Sequence, residues 1–196
     1  MESSKLSVKF YLQDESKLKL ADVVPVFHSW IQFHSIPNHL LIDVADYAHV
    51  PNGPGMLLVS HEANIHMDNF DGRFGLSYWR KQTLEGSFAD RLRAVLRTDL
   101  EACSLIESNE SLGLKFKTDE VSFRINDRLF APNTPETFAS IKADLEKVAS
   151  ELFGAAVMLE RVGEPRQLFE VRIKSSIPSE ITTLLSRLPA THHVNA

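Results

Sequence analysis

Pro51-Asn52-Gly53-Pro54-Gly55 is the strongest turn signal in the chain. It separates a short apolar run, Leu40 to Tyr47, from a longer strand-like run, Met56 to Asp68. Extended segments joined so closely turn back on each other, and a hairpin pairs its strands antiparallel. A second turn, Asp71-Gly72, leads into a third run, Phe74 to Gln82. The expectation is an antiparallel meander, and the other elements must then extend or cover that sheet.

Upstream, Val8, Phe10 and Leu12 alternate with Lys9, Tyr11 and Gln13, the period of a half-buried strand. A helix follows, with Asp22 expected as its N-cap and Pro25 in its first turn. Val23, Val26, Phe27, Trp30, Ile31 and His34 share one of its faces, and Pro37-Asn38 should end it. His34 then reads as a hydrogen-bonded core histidine. Ser87-Phe88-Ala89-Asp90 resembles a capping box and opens a second helix, whose apolar face carries Leu92, Val95, Leu96, Cys103 and Ile106.

The second half repeats this order. Leu112 to Lys117 and Val121 to Arg128 read as a hairpin around Thr118-Asp119-Glu120. Thr134-Pro135 starts a helix that Gly154 stops. Strands at Ala156 to Val162 and Leu168 to Lys174 follow, then a short helix opened by Pro178. The fold class expected is α+β: two layers, a mostly antiparallel sheet with helices on one face. It is built from two loosely repeated strand-helix-strand-strand-helix halves, 7–108 and 112–188, ferredoxin-like in style. Each half alone would have a small core, so residues 1–190 are read as one domain and 191–196 as a frayed tail.

Composition narrows the function classes. The 196 residues are 43% hydrophobic and 24% charged, as in an ordinary globular chain. No apolar run approaches the length of a membrane helix. Met1 to Lys5 shows no signal-peptide pattern, so a soluble cytoplasmic protein is expected. One cysteine, Cys103, leaves no room for an internal disulfide or a cysteine metal cluster. A net charge of −5 disfavours general nucleic-acid binding. Gly-x-Ser-x-Gly and Gly-Lys-Ser/Thr motifs are absent, and Cys103 reads as an inert core thiol.

Charge is unevenly distributed. Between Lys19 and Arg73 there is no Lys or Arg, yet the stretch holds six carboxylates and six of the eight histidines. Such a segment suits a divalent metal or a cationic ligand. Its densest part is His61-Glu62-Ala63-Asn64-Ile65-His66-Met67-Asp68. On a strand, Glu62, Asn64, His66 and Asp68 would share a face. His61, Glu62, His66 and Asp68 are the candidate metal ligands, with His39 or Asp43 joining if their strand pairs in the right register. The spacing is not that of the His-Glu-x-x-His motif, and an ordinary solvent-facing strand has the same pattern. Further on, Arg80, Lys81 and the helix start at Ser87 form a candidate anion site; the plainer reading is solvated surface charge.

The function expected from these features is binding. The chain would take a partner protein, a small molecule or a second copy of itself on the open sheet face. The consecutive apolar residues Leu57-Leu58-Val59 and Leu40-Leu41-Ile42 suggest burial on both sides of the sheet, hence a homodimer. The alternative is a metal-dependent hydrolase or oxygenase built on residues 61–68, with a divalent metal as cofactor. No membrane partner is expected.

Overall fold

The computed structural model describes residues 5–189. The tail beyond, with His192-His193, lies outside the described residues. In the first half, β1 (Leu6–Leu12) is followed by α1 (Leu20–Phe33), β2 (Leu41–Tyr47), β3 (Gly55–Ser60), β4 (Ala63–Asp68), β5 (Gly75–Arg80) and α2 (Phe88–Glu107). The second half runs β6 (Phe116–Ile125), α3 (Pro135–Phe153), β7 (Val157–Val162), β8 (Phe169–Ser175) and α4 (Ile181–Arg187). All eight strands form one antiparallel sheet in the order β2-β3-β4-β5-β1-β6-β8-β7.

That order makes the repeat visible. β1 and β6, the first strands of the two halves, lie side by side at the centre. Each is flanked on its other side by the last strand of its own half, β5 or β8, and then by β4 or β7. The runs β4-β5-β1-β6 and β7-β8-β6-β1 are thus two ferredoxin-like arrangements that share their inner strands. The first half also carries the β2–β3 hairpin as an outer extension.

The helices form the second layer. α2 lies over β1 and β5, α1 over β2 and β3, α3 over β7, and α4 packs against α2 and α3. Val8, Phe10, Ile65, Leu76, Tyr78 and Phe123 meet them in one continuous apolar core. Local chemistry sets the helix ends. Ser87 and Asp90 close the capping box of α2. Thr134 caps α3 ahead of Pro135, and Gly154 ends it in a left-handed conformation.

Four readings are corrected. The run from Met56 to Asp68 is two strands, because the Ser60 hydroxyl takes the Ala63 N–H and donates to the Ala63 carbonyl, closing a turn at His61-Glu62. The hairpin around Thr118-Asp119-Glu120 is instead one strand with a bulge: as β1 advances from Phe10 to Leu12, its partner on β6 steps back from Val121 to Phe116. α1 begins at Leu20, with Lys19 at its N-cap and no side-chain cap. It ends at Phe33, leaving His34 exposed with a left-handed backbone (φ 50°) rather than in the core. No helix among the described residues is long and apolar enough to cross a membrane.

Candidate functional site

The sheet face opposite the helices is unusually polar for so buried a surface. Antiparallel register carries side chains across it in rows. One row runs Leu57, His66, Ser77, Lys9, Ser122 and Arg172; the next runs Val59, Asn64, Trp79, Ser7, Arg124 and Glu170. Residues 69–74, linking β4 to β5, fold back over this face. Phe70 packs on His66 and Trp79, Asp71 reaches Lys9 and Tyr11, and the Arg73 guanidinium lies 3.6 Å from the Tyr11 ring centre.

Beneath that loop is a charge network. Lys9 Nζ donates to Asp68 Oδ1 at 2.8 Å, to Asp71 Oδ1 at 2.6 Å and to the Arg73 carbonyl at 2.6 Å. Asp68 Oδ2 accepts from the Ser77 hydroxyl, and Oδ1 also accepts from the Phe70 N–H. Arg124 joins Glu170 at 2.7 Å and Asp71 at 3.5 Å. Glu120 takes a two-pronged contact from Arg73 and a longer one from Arg172. Four cations thus meet four carboxylates. Burial opposes the Asp71 charge, but Lys9, the Tyr11 hydroxyl and Arg124 hold its carboxyl below the usual range. Burial and the Asp71 carboxylate push the Tyr11 phenol well up.

Gly75 makes this packing feasible. A β-carbon there would stand 2.9 Å from Lys9 Cε and 2.4 Å from the Phe10 carbonyl oxygen. At the far turn, Gly55 has φ of +59°, and a β-carbon would come within 2.1 Å of the Met67 carbonyl oxygen.

Beside the network is a different environment. Asn64 Oδ1 and both ring nitrogens of His66 are shut off from solvent with no hydrogen-bond partner among the described residues. The His66 ring is 5.0 Å from the Trp79 ring and 6.2 Å from Phe70, centre to centre. Burial drives its pKa down to about 4, only partly offset by the Asp68 carboxylate. At neutral pH the imidazole is therefore uncharged, with one donor and one acceptor nitrogen. A third anomaly lies across the sheet on α2. Both Asp99 carboxyl oxygens are buried with no hydrogen-bond partner among the described residues, and burial raises the pKa well above its ordinary value.

The sequence-chosen residues scatter. His66 and Asp68 do share the open face of β4. His61 is exposed in the β3–β4 turn, and its N–H donates to the Leu40 carbonyl. Burial opposes the Glu62 charge, yet backbone N–H donors including Leu40 hold its carboxyl below the ordinary value. β2 pairs with β3 rather than β4, which places Asp43 opposite Val59 with its carboxylate on the Val44 N–H. His39 lies at the helix side, hydrogen-bonded to the Tyr78 hydroxyl and the Pro37 carbonyl. Among the described residues, no group of three or more His, Cys, Asp or Glu is placed to hold a metal ion. Asp68 already has Lys9 as its cation. Arg80 bonds to the Tyr78 hydroxyl and the Gln82 carbonyl, Lys81 to the Ser60 carbonyl, and Ser87 to Asp90. Each is thus held in its own neighbourhood rather than turned to a shared anion.

Sequence reasoning missed Lys9, Phe70, Asp71 and Arg124. Lys9 stands at an outward position of an alternating strand, so nothing in its spacing marked it as buried. Fold and site together define the class: a two-layer α+β protein with a polar, loop-covered sheet face. Comparison with protein-family models and with curated proteins finds no match to this chain.

Proposed function

We propose that the chain acts by binding, and that the Asn64–His66 patch of the open sheet face holds a small, uncharged, planar ligand. One observation supports this reading. Three polar atoms of two residues on one face of β4 are buried without a hydrogen-bond partner among the described residues, and such atoms cost stability until something meets them. They supply two acceptors and one donor. A ligand edge of the amide or lactam type, as in a heterocyclic base, complements that set. Trp79 and Phe70 offer aromatic faces, and Leu57 and Val59 on β3 extend the apolar ground.

The test uses a Trp30→Phe protein, which leaves Trp79 as the sole tryptophan, excited selectively at 295 nm. Uracil, nicotinamide and a pterin are titrated while Trp79 emission and the His66 ring resonances are followed. Saturable changes in both, lost in His66→Phe, are expected. Unchanged signals with all three compounds at millimolar concentration overturn the reading.

Self-association is a second reading, supported by one exposed patch. Phe33, Leu40 and Ile42 are 70%, 61% and 55% exposed where α1 ends and β2 begins, at an open sheet edge. Asp43 occupies the Val44 N–H, which blunts backbone pairing there, so the contact is one of side chains between two copies. Light scattering at high micromolar concentration checks it. A dimer weakened by Ile42→Asp supports the reading, and a strict monomer removes it.

A further inference from the structure

At the end of the sheet where β1 begins, the loop after β6 and the β7–β8 turn surround an open cavity of about 610 Å³. Its wall includes Lys5, Arg128 and Arg166, with Asn126, Asp127 and Leu129. None of the three cations has an ion pair among the described residues, and what sets them apart is that they line one cavity. The cavity wall carries one carboxylate against the three cations, and Asp127 Oδ1 accepts from the Phe130 N–H within its own loop. The Arg128 guanidinium donates to the Arg166 carbonyl at 2.8 Å, which ties the loop after β6 to the β7–β8 turn. Leu129 is fully exposed beside these charges, and Pro165 forms part of the same wall.

We infer that this cavity is a binding site for an organic phosphate. Three cations and one carboxylate make this wall locally positive in a chain of net charge −5. Guanidinium forks match the oxygen geometry of phosphate, and an ammonium adds a point charge. The volume is in the range of small-molecule sites. Leu129 and Pro165 give the organic part of the ligand an apolar surface, so that a phosphate ester is better matched than inorganic phosphate. The site is formed by other residues than the Asn64–His66 patch and stands or falls separately from it.

The test is a titration of the full chain, followed by amide NMR, with phenyl phosphate, glucose 6-phosphate and adenosine 5′-monophosphate. Inorganic phosphate and adenosine serve as the two partial probes. At least one ester is expected to shift the amides of residues 126–129, 164, 166 and 167 and to bind about tenfold or more tightly than either partial probe. The double variant Lys5→Gln, Arg166→Gln keeps the Arg128 bond to the backbone carbonyl. It should weaken binding by at least about tenfold with the thermal midpoint unchanged. The inference is overturned if no ester shifts those loops at millimolar concentration. It is equally overturned if inorganic phosphate or adenosine binds as well as the esters, or if the double variant binds undiminished.

Discussion

Lys9 and Asp68 form an ion pair, 2.8 Å from ammonium to carboxylate, in which the two side chains are 2% and 0% exposed. The two residues come from strands that are not neighbours; β5 lies between them. The lysine reaches across through the room left by Gly75. Breaking such a pair from one side leaves an uncompensated buried charge, which costs roughly 3–5 kcal/mol. Lys9→Met is expected to lose that much at neutral pH, measured by urea denaturation. In the parent protein the depressed Asp71 carboxyl contributes stability above its unfolded pKa of 3.8, lost as the pH falls below that value. Without Lys9 this acid-side loss should shrink.

Gly75→Ala tests the same packing from the other side. The new methyl meets Lys9 Cε and the fixed Phe10 carbonyl. Overpacking of this kind costs about 1–3 kcal/mol. The double variant with Lys9→Met should lose less than the sum of the two single changes. Full additivity would show that the glycine is unrelated to the lysine.

His66 makes stability depend on pH over a different window. Its folded pKa of about 4 lies below the unfolded 6.5, so the unfolded chain binds the extra proton first. Stability is therefore full above about pH 6.5 and falls toward pH 4, by up to about 1.4 kcal/mol per pH unit. His66→Phe should flatten the profile there. An unchanged slope in the variant would assign the loss to other groups.

Asp99 has the opposite sign. Its carboxyl titrates higher when folded than when unfolded, so it favours the folded state at low pH and erodes stability as the pH rises above the unfolded value of 3.8. Asp99→Asn removes the ionisation, and Asp99→Leu removes the buried polar group. An unpartnered buried polar group costs about 1–3 kcal/mol. Asp99→Leu should raise the thermal midpoint at neutral pH; a lower midpoint would mean that the carboxyl makes a stabilising contact.

Much of the architecture was legible because it is written locally. The Ser87–Asp90 box, Thr134-Pro135 and Gly154 act within a turn of the helices they bound, and all three do so here. Turn and strand errors arose where the local signal was ambiguous. Ser60 closes a turn at His61-Glu62 without glycine or asparagine, while Thr118-Asp119-Glu120 carries turn chemistry into a strand bulge. The site was less legible. The cation-free stretch from 20 to 72 marked a real anomaly, but five of its six carboxylates are satisfied by partners that charge counting cannot see. Glu62, Asp43 and Asp46 accept backbone N–H groups, and Asp68 and Asp71 meet Lys9.

The sequence by itself determined the caps of α2 and α3 and the turns at 51–55, 71–72 and 163–165, since each depends on residues a few positions apart. It also determined that His66 and Asp68 share a face, because strand periodicity alone places them so. Only the tertiary structure decided what those two residues meet. β1 is brought beside β5 and β6 by pairing across long stretches of chain, and the 69–74 loop folds over the face they form. That pairing gives Asp68 a lysine and leaves His66 buried without a hydrogen-bond partner among the described residues. Interactions of this kind depend on distance in space, and sequence separation carries no record of it.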